Sequence, residues 1–158
     1  MIYVDTSVVL AQLLAEDRKP VAALWQAPLV SSRLLEYEVW TRIHGRRLDR
    51  SHGEATRELL SRVSFLELSP FVLARALEPF PLPVRTLDAL HLASVEFLRE
   101  RRVAVALATF DDRMAAVARK LRIPLWTAPG RPARKRKRAG SRRLPVVPEA
   151  QGTTRNRR

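Results

Sequence analysis

The chain has 158 residues, 46% of them hydrophobic, enough for one domain with a sizeable core and too few for a comfortable second one. It has no cysteine, which excludes disulfides and thiolate metal sites, and with no chemical need of an oxidising compartment a cytoplasmic setting is expected. The net charge of +13 is unevenly placed: residues 1–129 hold 18 basic and 15 acidic side chains, whereas residues 130–158 hold 11 and one.

That division sets the domain organisation. Residues 130–158, GRPARKRKRAGSRRLPVVPEAQGTTRNRR, are basic, contain prolines and have almost no large apolar side chains. Such a segment buries too little surface to offset its ordering entropy, so it reads as a disordered basic tail on a nearly charge-balanced body at residues 1–129. The tail is either a solubilising extension or an arm that attracts phosphates without regard to sequence. The N-terminus has no basic stretch ahead of its apolar residues. No apolar run approaches the roughly 20 residues of a membrane span, so neither secretion nor membrane insertion is expected.

Within the body, MIYV reads as a first strand buried on both faces. It runs directly into Asp5, Thr6 and Ser7 and then into SVVLAQLLAED, where Val8, Leu10, Ala11 and Leu14 recur at helical spacing. PLVSS is a second strand, followed by helices in SSRLLEYEVWTRIHGRR and HGEATRELLSRV. SFLELS is a third strand, followed by helices in SPFVLARALEPF and TLDALHLASVEFLRER. VAVALAT is a fourth, DDRMAAVARKLRI its helix, and PLWT a short fifth. This alternation predicts an α/β fold, a parallel sheet with helices on both faces. Ligands of such sheets bind beyond the carboxyl ends of the strands, where strand order reverses.

Acidic residues stand at such places. Asp5 ends the first strand, and as a helix cap it is displaced, because Thr6 or Ser7 could cap instead. Asp111 follows the fourth strand where an N-cap belongs, and its neighbour Asp112 suits the first helical turn. Asp88 lies in the first turn of the helix in RTLDALHLAS. On the helix after the second strand Glu38 falls between Leu34 and Leu35 on the helical wheel, and Glu36 between Trp40 and Ile43, so pattern does not choose between them. Carboxylates converging at one strand-end pocket repel unless a cation joins them. With oxygen ligands and no clustered histidine that cation is Mg²⁺ or Mn²⁺ rather than zinc, an ion suited to activating water in phosphoryl chemistry. The hydroxyls of Thr6, Ser7 and Thr109 adjoin these acids. His91, three residues beyond Asp88, reads as a packed or surface histidine rather than a general base. Arg42, Arg46 and Arg47 read as a solvated helix face more readily than as an RNA path.

The stretches IYVDTSVVL, VSSRLLEYEVWTRI, RTLDALHLAS and LATFDDRMAAVA, in that order and at these separations, resemble the PIN-domain ribonucleases, and especially the VapC-type toxins of toxin–antitoxin pairs. The resemblance covers Met1 to about Pro129. It implies a three-layer α/β/α sandwich with a short parallel sheet. It also implies catalytic acids at Asp5, Glu38, Asp88 and Asp111, of which Asp5, Asp88 and Asp111 hold the metal. Glu38 is preferred to Glu36 because it lies six residues after Ser32, and Asp112 is the alternate to Asp111. The implied activity is Mg²⁺- or Mn²⁺-dependent cleavage of RNA by water, leaving a 5′-phosphate. The implied partners are an RNA substrate, a cognate antitoxin and a second copy in a homodimer. The basic tail departs from the family pattern. A catalytically silent RNA- or antitoxin-binding module is the alternative, and the presence of all four acids counts against it. A doubly wound phosphotransfer domain would need an acid at position 7, where this chain has Ser7, or a lysine at a late strand end.

Overall fold

The structure is a computed structural model that describes residues 1–15 and 18–127. The expected basic tail at 130–158 lies outside the described residues.

Four short strands form one parallel sheet in the order β3-β2-β1-β4: β1 (Ile2–Val4), β2 (Leu29–Ser32), β3 (Val63–Leu66) and β4 (Ala106–Ala108). The helices are α1 (Thr6–Leu13), α2 (Leu34–Gly45), α3 (Asp49–Leu60), α4 (Pro70–Leu77), α5 (Thr86–Glu100) and α6 (Asp112–Lys120). A one-turn 3₁₀ segment at Ala22–Gln26, absent from the sequence reading, leads into β2. The expected fifth strand PLWT is reduced to a single parallel bridge, Leu125 to Leu107. Its physical reason is at hand: Pro124 has no N–H to donate to a ladder, and pairing is carried by the Leu107 N–H on the Pro124 carbonyl and the Trp126 N–H on the Leu107 carbonyl, both 2.8 Å.

Both faces of the sheet are covered, and the strands alternate between two cores. Ile2, Val4, Leu29 and Ala108 pack with Val8, Val9, Leu35, Val39 and Ile43 of α1 and α2. Tyr3, Val30 and Leu107 point the other way, among Leu92 and Val95 of α5 and Met114 and Val117 of α6. The period of two along each strand therefore sends Tyr3 toward α5 and its flanking residues toward α1. The result is a three-layer α/β/α sandwich with helices against both sides of the sheet.

Three helices close on an arginine in the left-handed region that glycine usually takes. Arg47, Arg102 and Arg122 take φ of 57°, 61° and 55°, and the next residue closes the turn by donating five positions back: Leu48 to Ile43, Val103 to Leu98 and Ile123 to Ala118. The closing residue and its acceptor are apolar each time, so hydrophobic contact offsets the cost of a left-handed arginine.

Strand order reverses at β1. The chain moves from β1 outward to β2 and β3 on one side, then returns to place β4 on the other. The crevice beyond the carboxyl ends of β1 and β4 is thus the topological switch point, and Asp5 and Asp111 stand on either side of it.

Candidate active site

Asp5 is buried, with 4% of its surface exposed, at the junction of β1 and α1. Its Oδ2 accepts from the Ser7 N–H at 3.3 Å, the Ser7 hydroxyl at 2.5 Å and the Thr109 hydroxyl at 2.9 Å. Asp5 is therefore the N-cap of α1 and more than that, since two side chains from opposite sides of the crevice hold the same oxygen. The two hydroxyls extend the link into the loop after β4. The Phe110 N–H donates to Ser7 Oγ at 2.9 Å and the Asp111 N–H to Thr109 Oγ1 at 3.0 Å. Asp111 caps α6 through Oδ1, which accepts from the Arg113 and Met114 N–H groups at 2.7 and 3.0 Å.

The other half of the site is a buried chain of polar side chains. Thr6 donates to Glu38 Oε2 at 2.5 Å, and His91 Nε2 approaches the same oxygen at 2.8 Å. The other ring nitrogen, Nδ1, lies 2.8 Å from the Tyr3 hydroxyl, which accepts from the Ser32 N–H at 3.1 Å. His91 Nε2 is also 4.0 Å from Asp5 Oδ1, so the imidazole sits between both acids. Glu36, by contrast, turns outward to Arg33 at 3.0 Å. Of the glutamate pair, it is Glu38 that faces the crevice.

Charges here are felt mutually. Burial would push the His91 imidazole down, but Tyr3, the hydrogen bond to Glu38 and the charges of Asp5 and Glu38 lift it from 6.5 to about 10. Burial would likewise raise Glu38, yet the His91 hydrogen bond and charge, the Thr6 hydrogen bond and the charge of Arg42 hold it below the usual carboxylate range. Asp88 is pushed up, first by burial and then by the charges of Asp111 and Asp5. The charges of Asp5 and Asp111, each from a different element, thus reach Asp88. Among the described residues, no three acidic or histidine side chains stand together as a ready-made ion cage.

A PIN-domain family model matches residues 2–120. The chain belongs to the PIN-domain family. It is 31% identical over 128 residues to Ribonuclease VapC46 of Mycobacterium tuberculosis (strain ATCC 25618 / H37Rv), a match that spans 76% of this chain and 92% of that protein. The parallel sheet and its flanking helices are the fold of a VapC-type PIN domain.

In this PIN domain the expected site residues fall into two groups. Thr6 donates to Glu38, Ser7 and Thr109 donate to Asp5, and the Thr109 hydroxyl accepts from the Asp111 N–H, while Asp88 is linked to Asp5 and Asp111 only through charge. Asp112 lies outside the group: its side chain is almost fully exposed and nearest to Arg18, at 4.0 Å. His91 and Tyr3 carry more of the site than the sequence suggested. Both are buried, and their contacts span 53 and 88 residues of chain, so no local pattern displays them.

A carboxylate whose folded pKa is raised holds its proton more tightly folded than unfolded. Its ionisation therefore costs stability, which is full below the unfolded pKa and lost as pH rises through the folded one. Metal-free Asp88→Asn protein is accordingly expected to melt at a higher temperature than the wild type at neutral pH. The gain should vanish on acidification below the carboxylate range; a melting temperature lowered at neutral pH would contradict the crowding of charge.

Proposed function

We propose that this PIN domain is a metal-dependent endoribonuclease and the toxin of a type II toxin–antitoxin pair. It would act in the cytoplasm on RNA, be restrained by a cognate antitoxin and form a homodimer. The observation that carries the reading is the Thr109 hydroxyl, which donates to the Asp5 carboxylate and accepts from the Asp111 N–H across the β1–β4 crevice, with Asp88 feeling the charge of both aspartates. The similarity to a VapC ribonuclease along most of the chain supports it.

The donor set suits a hard divalent cation. Asp5, Asp88 and Asp111 offer carboxylate oxygens and no sulfur, and their mutual repulsion is what such a cation relieves. Mg²⁺ keeps several waters and needs only one or two carboxylates, so a tight protein cage is not required; Mn²⁺ accepts the same oxygen donors. Bound there, the ion would supply an activated water and neutralise charge on the phosphodiester.

The protein's own part is to fix its acids beforehand. With Oδ2 of Asp5 engaged by Ser7 and Thr109, its Oδ1 is turned toward the crevice and His91. With Oδ1 of Asp111 engaged in capping, Oδ2 is the oxygen left for a ligand. Glu38 is held by Thr6 and His91 in its charged form, beside the place where a water would have to surrender a proton.

The test is metal removal. The purified chain is expected to cleave single-stranded RNA when Mg²⁺ or Mn²⁺ is supplied, and to stop when EDTA is in excess. Cleavage that survives EDTA, or that never occurs with either cation, would sink this reading and favour a silent binding module.

A further inference from the structure

Next to the acids lies a cleft of about 780 Å³ whose wall includes Ser7, Leu10, Arg18, Arg42, Arg46 and Phe110, together with Asp111. That is the size of a ligand site, far larger than the space a trapped water needs. Arg42 and Arg46 are four residues apart at the end of α2, and so project from one face of it. Arg33, Arg62 and Arg75 are engaged by glutamates, Arg33 with Glu36 and Glu67, Arg62 with Glu58, Arg75 with Glu96, and many of the other body arginines are not. Among the described residues Arg42 and Arg46 make no ion pair, although Asp111 shares their cleft. The same lining includes Leu10 and Phe110, with the Arg18 guanidinium stacked 4.9 Å over the Phe110 ring and bonded to the Phe110 carbonyl.

Resting on the nuclease reading, we propose that this cleft is the track for the unpaired RNA strand beside the cleaved phosphodiester. Arg42 and Arg46 take its phosphates, and Leu10 and the Phe110–Arg18 stack take a base. The cleft opens onto the acids, since Ser7 and Asp111 belong to its wall and the charge of Arg42 reaches Glu38. A strand lying in it is therefore led to the place where its backbone would be cut. Single-stranded nucleic acid alternates charged phosphates with flat faces, which matches a lining that combines arginines with an aromatic ring. An acidic peptide has the charge without the faces.

Binding of a labelled, unstructured oligoribonucleotide to the full chain in EDTA, followed by fluorescence anisotropy across a salt series, separates the track from turnover. Each phosphate contact on a single strand contributes about 0.7 to the slope of log K against log salt. The double variant Arg42→Gln, Arg46→Gln should therefore lose about 1.4 of slope and bind on the order of 25-fold more weakly near 0.1 M salt. The control Arg62→Gln, Arg119→Gln removes the same charge at the start of β3 and the last turn of α6, the end of the sheet away from the crevice, and should change little. Thermal melts establish that both variants are folded.

Equal losses in the two variants would overturn the track. So would a polyglutamate peptide whose binding fell in the cleft variant while RNA binding did not, which would assign the cleft to an acidic protein segment. If wild-type cleavage is metal-dependent and the slope is unchanged, the track alone is wrong. If the slope falls as expected and no cleavage occurs, the track stands as an RNA site and the nuclease reading fails.

Discussion

Replacing His91 by leucine should lower stability by about 3–5 kcal/mol, the range found when one partner of a buried ion pair is removed. His91 is 1% exposed and lies between Glu38, Tyr3 and Asp5, so leucine leaves a half-buried carboxylate without its cation and a buried phenol without its partner. For a chain of this size that corresponds to a melting temperature lower by roughly 6–20 °C. The pH dependence gives a second readout. His91 is raised from 6.5 to about 10, so its contribution is fully present below the unfolded value and is lost as pH climbs through the folded one. Wild-type protein should accordingly lose stability between about pH 6.5 and 10, and His91→Leu should lack that component. Adding Glu38→Gln to His91→Leu removes the stranded charge, and the double variant should be less destabilised than the two single effects combined. A His91→Leu protein as stable as wild type at neutral pH would show that the Glu38–His91 contact is incidental.

The sequence displays what is periodic and hides what is paired at long range. Ile2 to Val4 followed by Asp5 is a buried strand running out at its carboxyl end, and repetition of strand and helix leads to a parallel sheet without any contact being known. PLWT also has strand composition, but the proline that opens it limits pairing to one bridge, a matter of hydrogen-bond donors rather than of hydrophobicity. The 3₁₀ turn at Ala22–Gln26 has no amphipathic repeat long enough to reveal it. At the site, the choice between Glu36 and Glu38 was undecidable on a helical wheel because both border apolar residues. It is made by partners elsewhere in the chain: Thr6 and His91 draw Glu38 inward, while Arg33 draws Glu36 out. His91 looks like an ordinary packed histidine for the same reason. Its ring lies on the Tyr3 face of the sheet only because strand alternation sends Tyr3 toward α5.

Asp5→Asn should abolish most activity while leaving the fold intact, and the contrast between these two effects decides what Asp5 is for. Oδ2 receives the Ser7 N–H and the hydroxyls of Ser7 and Thr109, and the amide oxygen of asparagine can accept the same three bonds. The cap of α1 is thereby kept. What disappears is the negative charge on the side facing the crevice, where Oδ1 stands 4.0 Å from His91 Nε2. Loss of one carboxylate from a site that binds a divalent cation is expected to cost about 4 kcal/mol of barrier, or a 10³-fold fall in RNA cleavage. Asp5→Ala adds loss of the cap and leaves Ser7 and Thr109 without their acceptor, so it should also destabilise by about 1–2 kcal/mol. Thr109→Ala keeps the charge but frees the oxygen from one of its holders, and a 10- to 100-fold loss of activity, roughly the cost of removing a supporting contact, is expected. If asparagine at position 5 preserves both cleavage and melting temperature, Asp5 is a helix cap alone. If it preserves melting temperature and removes cleavage, the cap and the ligand are one carboxylate with its two oxygens divided between the tasks.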